Sequence, residues 1–430
     1  MSHKYETTEA FALEMDLQDP LRDFRQHFYI PQGTIYMDGN SLGLMSREAE
    51  STLLRVMEEW KTKGIDGWLG AENPWFYFAE TLGEACAPLV GAEADEVVAT
   101  GTTTVNIHSL VSTLYQPEGC RTRILADELN FPTDIYALKG QIKLKGYDPE
   151  WELLLVQSED NRTLDEDTIV SHMTDDVALA LLPSVLFRSG QLLDMAYLTK
   201  KAHERGIIIG FDCSHSVGAV PHYFDKWNVD FALWCSYKYL NAGPGSPAFI
   251  YLNRKHFGKE PLLAGWFGYV KEKQFDMSLE FEHSQNAGGW QISSPGIINA
   301  APVEGALAIS GAAGIDRIRD KSLLLTNYLI YLVDELLSSP PYSFSIGTPR
   351  EDHRRSGHVA LEREENAWEI CSALKSRGVI PDFRGPNVIR IAPIALYNTF
   401  AEVRRVVFHL KEIIDTGEYR NFSDKRSAIT

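Results

Sequence analysis

Between about residues 96 and 253 the chain alternates short runs of β-branched and other apolar residues with stretches of helical periodicity. The apolar runs cover 96–100, 123–126, 152–156, 177–182, 207–211, 231–235 and 248–252. Near-continuous hydrophobic strands separated by amphipathic crossovers are what a mainly parallel sheet, covered by helices on both faces, requires. The pattern predicts an α/β fold built on a seven-stranded sheet.

The helical stretches carry their own punctuation. Asp194 is placed to cap a crossover helix over 194–205, with Leu198 and Ala202 facing inward at i, i+4 and Gly206 suited to the C′ position. Residues 46–60 read as a helix with Leu53, Val56, Met57 and Trp60 on one face. Residues 315–337 form a long amphipathic stretch stopped by Pro340-Pro341, and Thr399-Phe-Ala-Glu402 is a capping box opening a last helix that ends near Gly417. Strand-like segments at 358–361 and 388–391 lie between them, so the C-terminal part reads as a smaller α+β domain. The expected division is an N-terminal segment, 1–60, packed with the small domain, a large domain over 61–310 and the small domain over 311–430. The tail 421–430 is polar and expected to fray.

Composition narrows the function classes. With 430 residues, 44% of them apolar, the chain can bury a large core. Lys and Arg number 41 against 59 Asp and Glu, and a net charge of −18 disfavours nucleic acid or an anionic membrane as partner. Any phosphate must therefore be held locally. The cysteines, Cys86, Cys120, Cys213, Cys235 and Cys371, are scattered and never form a CxxC pair, which argues against a disulfide framework or a metal site. The first residues lack an apolar leader core, and the longest apolar run, 177–187, is interrupted by Pro183. A cytoplasmic protein is the expectation.

Candidate chemistry concentrates at strand ends. The stretch 231–245, FALWCSYKYLNAGPG, sets Lys238 just past an apolar run and before Gly243 and Gly245, where backbone without Cβ can approach a ligand. The stretch 206–215, GIIIGFDCSH, ends in Asp212 with His215 three residues on. Ligands of doubly wound sheets bind at the carboxyl ends of strands. A lysine and a carboxylate there suit pyridoxal phosphate, which needs a Schiff-base lysine and an acid partner for its pyridine nitrogen. The strand at 96–100 leads into a helix start whose free N–H groups, with the Thr103 and Thr104 hydroxyls, form a natural phosphate seat. The strand at 123–126 leads into Asn130-Phe-Pro-Thr-Asp134, where Phe131 is placed to stack on an aromatic ring.

Taken singly, each residue has an ordinary reading. Lys238 alone would be a snorkelling surface lysine, Asp212 a cap or ion-pair member, and His215 a satisfied structural histidine. Thr102 to Thr104 would cap a helix, Phe131 and Trp266 would be packing, Pro132 a turn residue, and Arg390 a surface ion pair. Trp68 and Trp75 either border a substrate ring or pack under a subunit contact. The shared location at strand ends is what favours the chemical reading.

Together these segments resemble the kynureninases. The resemblance rests on Asp38-Gly-Asn-Ser-Leu-Gly43, Phe131-Pro-Thr-Asp134, Gly210-Phe-Asp-Cys-Ser-His215, Cys235-Ser-Tyr-Lys-Tyr-Leu-Asn-Ala-Gly243, Gly265-Trp-Phe-Gly268 and Arg390-Ile-Ala-Pro-Ile-Ala-Leu-Tyr397, in the family's order over most of the chain. It implies a pyridoxal phosphate enzyme of fold type I that hydrolyses L-kynurenine, or its 3-hydroxy derivative, to anthranilate or 3-hydroxyanthranilate and L-alanine by Cβ–Cγ cleavage. Such an activity belongs to tryptophan catabolism and to NAD biosynthesis. By the same resemblance Lys238 bonds the cofactor and removes the substrate's Cα proton, Asp212 pairs with the pyridine nitrogen with His215 behind it, and Phe131 stacks on the ring. Pro132, Thr133 and Asp134 belong to the same cofactor-binding turn. Thr104, Tyr237, Trp266 and Ser294 are implied phosphate contacts beside Thr103, the last two arriving from the other subunit of a homodimer with shared active sites. Tyr237 is implied to assist proton transfers, and Arg390 to clamp the substrate α-carboxylate.

The chain departs from the family at Pro183, where members carry Ser or Thr, and at Ser294, where they carry Asn or Thr. Two alternatives remain. A cysteine desulfurase or other class V relative would need a nucleophilic cysteine on a mobile C-terminal loop, whereas Cys371 lies in a helical pattern. A non-catalytic cofactor-binding protein would have no need of Lys238, Asp212 and Arg390 together.

Overall fold

The apolar runs become strands of one sheet. The computed structural model describes residues 5–422, so the part of the polar tail beyond Phe422 lies outside the described residues. After a short strand β1 (Ile35–Tyr36), the runs form β2 (Val97–Ala99), β3 (Arg123–Asp127), β4 (Leu153–Val156), β5 (Val177–Pro183), β6 (Ile208–Asp212), β7 (Phe231–Cys235) and β8 (Ala248–Leu252). They lie in the order β2-β8-β7-β6-β5-β3-β4, with β8 antiparallel to both neighbours and the other pairings parallel. Alternate residues of one strand feed cores on opposite faces: Ala180 and Leu182 join one apolar cluster, Leu179 and Leu181 the other. Burial on both sides is why each run is apolar throughout rather than alternating.

The crossover helix is Met195–His203, ending two residues earlier than its pattern predicts. Asp194 accepts from the Tyr197 N–H at 2.9 Å, Leu198 and Ala202 are buried, and Gly206 takes a left-handed φ of 68°. It delivers the chain into β6, which sets Asp212 at the sheet's carboxyl edge.

The helix predicted over 46–60 is present as Arg47–Lys63, with Ser46 Oγ capping the Ala49 N–H, but its inward face differs from the predicted one. Met57 and Trp60 are 50% and 63% exposed, and the buried positions are Ala49, Val56 and Glu59. The neighbouring helix, Ile297–Ala313, comes too close for large side chains between them: a Cβ on Gly305 would lie 2.3 Å from the Glu48 carbonyl. Polar ties hold this tight contact, Thr52 Oγ1 donating to the Ala301 carbonyl at 2.8 Å and Arg55 pairing with Glu304 at 2.5 Å. Leu54, Met57 and Trp60 are left outside, near Ile65 and Leu69 in the chain.

The C-terminal part contains β9 (Ser345–Ile346), β10 (Val359–Glu362), β11 (Val379–Ile380), β12 (Asp382–Arg384) and β13 (Val388–Ile391). Four of them form an antiparallel sheet, β12-β13-β10-β9, packed with the helices Ile315–Leu337, Ala367–Ser376 and Phe400–Asp415. The capping box forms, with Glu402 N–H donating to Thr399 Oγ1 at 3.1 Å and Thr399 N–H to Glu402 at 3.2 Å. Parts of the N-terminal segment join this core, while Leu21 and Phe28 pack in another cluster with Val220 and Tyr239. β1 pairs in parallel with β11, and Ala12, Met15, Ile35 and Met37 share a cluster with Leu325, Leu329 and Val407. Asp16 accepts the Phe400 and Ala401 N–H groups at 2.6 and 3.1 Å, and Asp19 and Lys321 form a buried pair at 2.6 Å. No single helix among the described residues is long and apolar enough to cross a membrane.

One buried charge ties the amino edge of the large sheet. Asp230, just before β7, pairs with His203, His256 and Lys255, each at 2.8 Å, and accepts the Ile209 N–H at 2.9 Å. These hydrogen bonds outweigh burial and hold its carboxyl well below the usual range. A depressed folded-state pKa contributes stability above the unfolded carboxylate value, about pH 4, and loses it as pH falls toward the folded value. Asp230→Ala is expected to remove about 3–5 kcal/mol, the range for breaking a buried pair. Thermal unfolding should show a drop in midpoint at neutral pH that narrows only below about pH 4, with little loss of activity, because the cluster lies at the sheet's other edge.

Candidate active site

Three segments converge at the carboxyl edge of the large sheet. β6 ends at Asp212, β7 at Cys235, and the chain then turns through Ser236, Tyr237 and Lys238. Asn241, Gly243 and Gly245 follow with φ of 58°, 91° and 76°, left-handed conformations that explain glycine at the last two positions. Nothing crowds a Cβ built on either glycine, so φ rather than close approach is what selects it. The turn is buttressed from the N-terminal segment. Gly43 donates to the Tyr237 carbonyl at 2.7 Å, and a Cβ there would lie 2.5 Å from the Lys238 carbonyl oxygen.

Lys238 Nζ lies 3.0 Å from His215 Nε2, and both line a cavity of about 340 Å³. Asp212, Tyr237, Phe131 and Thr133 share that cavity, as does Arg390 from β13 of the four-stranded sheet. A lobe of about 260 Å³ continues past Tyr237 to Thr102, Thr103, Thr104, Gly245 and Ser246. Thr103 opens the helix Thr103–Leu114, and the Thr102 side chain makes no capping hydrogen bond. The helix therefore turns uncapped N–H groups toward the lobe, an arrangement suited to an anion.

Burial sets the protonation of the site. His215 is pushed well below its ordinary value by burial and by the Lys238 charge, so its imidazole is neutral beside the amine. Asp134, 1% exposed, is pushed well above the carboxylate range by burial and by the neighbouring Asp212 carboxylate. The shift favours the protonated form of Asp134. Asp127 is pushed up to about 7, chiefly by burial, and burial also raises the Tyr237 phenol, which stays protonated.

Arg390 departs from the surface ion pair its alternating strand suggests. It is 1% exposed, with Nε donating to Asp382 at 2.5 Å, Nη1 to the Phe187 carbonyl at 2.6 Å and Nη2 to Ser41 Oγ at 3.2 Å. Pro132 is N1 of the helix Pro132–Leu144, where its missing N–H costs nothing, and it does not line the cavity. Trp266 and Ser294 are absent from it too. Both lie on a separate apolar cavity of about 890 Å³ with Trp68, Phe76 and Phe267, while Trp75 is buried edge-on to Trp68. Cys371 is buried within the helix Ala367–Ser376 and its thiol is pushed up to about 12 by burial, so it is not the exposed loop nucleophile a desulfurase needs.

Sequence reasoning left out Asn40, Ser41, Phe187, Ser214 and Arg384, which also line the Lys238 cavity. The motif Asp38 to Gly43 signalled the first two. Phe187 meets Phe131 edge-on at 5.3 Å, and nothing in its local pattern sets it apart from core packing. Beside Pro183, Ser184 donates its N–H to the Asp212 carbonyl at 2.8 Å and bonds Ser216 Oγ at 2.7 Å, steadying the end of β6.

A phosphorylated aromatic cofactor fits these residues. An amine and a carboxylate share one cavity with the partly exposed Phe131 ring, and an uncapped helix start stands at its end. Architecture and site define the class of fold-type-I pyridoxal phosphate enzymes. The structure is similar to a cysteine desulfurase from Thermococcus onnurineus NA1, with TM-score 0.77 and 17% identity over 92% of this chain and 98% of that one. It is also similar to a C-DES mutant with glycine covalently linked to its PLP cofactor, with TM-score 0.78 and 15% identity over 90% and 99% of the two chains. At such identities the likeness establishes the fold alone.

Sequence comparison is more specific. A family model of the kynureninase C-terminal domain matches residues 318–410. Kynureninase from Geobacillus thermodenitrificans is 55% identical over 99% of this chain and 98% of its own length. Kynureninase from Bacillus thuringiensis subsp. konkukian is 54% identical over 99% of each. The chain belongs to the kynureninase family.

Proposed function

We propose that the protein hydrolyses L-kynurenine to anthranilate and L-alanine using pyridoxal phosphate. The observation that carries this is the meeting of Lys238, Asp212 and Arg390 in one cavity of a chain from this family. When bound, the cofactor supplies an electron sink for charge released at the substrate's Cα and Cβ.

The chain's own residues do the rest. Lys238 tethers the cofactor and, once released by the substrate amine, takes the Cα proton at Nζ, with neutral His215 as its hydrogen-bond partner. Asp212 keeps the pyridine nitrogen protonated, and Asp134, holding its own proton, adds no competing charge beside it. Phe131 offers a stacking face. Thr103 and Thr104 at the helix start, with Tyr237, hold the phosphate. The Tyr237 phenol, protonated because it is buried, donates and recovers protons at the cleaved carbon. Arg390, oriented by Asp382 and the Phe187 carbonyl, clamps the α-carboxylate.

The proposal extends to a homodimer in which Trp266 and Ser294 complete the partner's phosphate site. Their place on a second, open apolar cavity supports it, as do Leu54, Trp60, Ile65, Leu69 and Phe275, which are 57–78% exposed. An apolar surface of this kind favours being covered by another protein surface. We also propose the division into a cofactor-binding domain over 61–310, a small domain over 311–430 and a segment 1–60 joining them. The five free cysteines fit a cytoplasmic location, where thiols stay reduced.

The test is anthranilate fluorescence from cofactor-loaded protein and L-kynurenine. Loaded protein that yields no anthranilate refutes the activity. For the shared site, Lys238→Ala and Trp266→Ala proteins are mixed under conditions that exchange subunits. Mixed dimers are expected to regain activity because one of their two sites is intact, and no recovery refutes the cross-subunit contact.

A further inference from the structure

Arg384 is a second cation in the cavity that holds Lys238 and Arg390. It is set there by the β12–β13 pairing. Asp382 stands directly opposite Arg390, and Arg384, two residues along β12, projects from the same face as Asp382. The buried Asp382 Oδ2 accepts a hydrogen bond from Arg390 Nε at 2.5 Å and forms an ion pair with Arg384 Nε at 3.0 Å, so one carboxylate oxygen draws both guanidinium groups to the same wall.

The two arginines differ in what they have left to offer. Each nitrogen of Arg390 already makes one hydrogen bond, to Asp382, the Phe187 carbonyl and Ser41, which leaves one N–H on each of its two Nη atoms for a ligand. Among the described residues the Arg384 Nη nitrogens make no hydrogen bond, and its side chain is 34% exposed. A guanidinium presents its N–H donors in a rigid fork matched to a carboxylate, so Arg384 has a whole fork to offer where Arg390 has one N–H left on each Nη. Asp38, whose carboxyl is pushed up to about 6 mainly by burial and by Asp382, is the other acid facing this pair.

We propose that Arg384 is a second carboxylate-binding residue, so that the substrate's α-carboxylate is received between two guanidinium groups drawn to one wall by Asp382. Arg390 supplies a rigid, pre-oriented edge and Arg384 the free fork. Selection for an α-carboxylate over a neutral group is then shared between them. The proposal rests on the cavity being the amino-acid site named above.

The experiment compares binding of L-alanine and L-alaninamide to the cofactor-loaded protein, followed through the cofactor absorbance, in the parent, Arg384→Met and Arg384→Lys. The parent should prefer the acid. In Arg384→Met that preference should fall about tenfold or more, the size of a lost charge-assisted hydrogen bond, while Arg384→Lys keeps part of it. The KM for L-kynurenine should rise by a similar factor with kcat within about threefold, as expected for loss of binding shared by ground and transition states. An unchanged preference, or equal weakening of acid and amide, overturns the proposal, the latter assigning Arg384 a structural role. If Arg384→Met fails to take up cofactor, Arg384→Lys and Arg384→Gln are judged by the same ratio. The binding ratio needs no turnover, so a parent protein that binds L-alanine yet leaves kynurenine intact refutes the proposed activity and not this one.

Discussion

Lys238→Ala protein, loaded with cofactor, is expected to lose anthranilate formation by about four orders of magnitude or more. Two functions disappear with one amine: the covalent tether and the base that takes the Cα proton. Groups that act as a unit lose far more than a single contact when one is removed. His215 is a poor substitute, because burial disfavours its protonated form and so weakens it as a base even without the Lys238 charge, and it supplies no covalent tether. Lys238→Arg should be nearly as inactive, since a guanidinium keeps its proton at any working pH. The accompanying readout is retention: cofactor should leave the variant on gel filtration that leaves the parent loaded. Activity above about one part in a hundred, beyond what the loss of a general base allows, would remove Lys238 from the mechanism.

Asp212→Asn should cost about a thousandfold in kcat, in the range seen when a preorganised electrostatic partner is lost. The side chain keeps its shape and its place at the end of β6 but not its charge, so the pyridine nitrogen loses the partner that keeps it protonated. Asp134 sharpens the test. Because burial and the Asp212 charge hold a proton on Asp134, an amide there resembles the carboxyl it replaces, and Asp134→Asn is expected to lose no more than about tenfold. Steady-state kinetics on both variants decide the matter. If the Asp134 variant is the more damaged of the two, the proton sits on the other carboxyl and the assignment is wrong.

The strands were legible because each is buried on both faces, which writes an unbroken apolar run, and their observed limits differ from the pattern by a residue or so at some ends. The crossover helix and the last helix were legible because Asp194 and the Thr399–Glu402 box form local caps that do form in the structure. The inward face of the helix Arg47–Lys63 was not. Its large apolar residues suggested one buried side, but the approach of Gly305 leaves room only for small and polar groups there. Arg390 misled in the opposite direction: an arginine on an alternating strand suggests solvent, whereas the cavity wall and Asp382 enclose it.

The chain by itself determined the strands and helices, the lysine and carboxylate at strand ends and the helix start suited to phosphate. These depend on periodicity and capping among a few consecutive residues, which any local window contains. Only tertiary structure decided that Asp134 lies against Asp212, that Gly43 supports the lysine turn, that Asp382 joins Arg384 to Arg390, and that Trp266 and Ser294 face a different cavity. Most of these neighbours come from distant parts of the chain, and even the nearby ones depend on strand pairing and side-chain burial. Both the proton on Asp134 and the spacing of the two guanidinium groups follow from that packing.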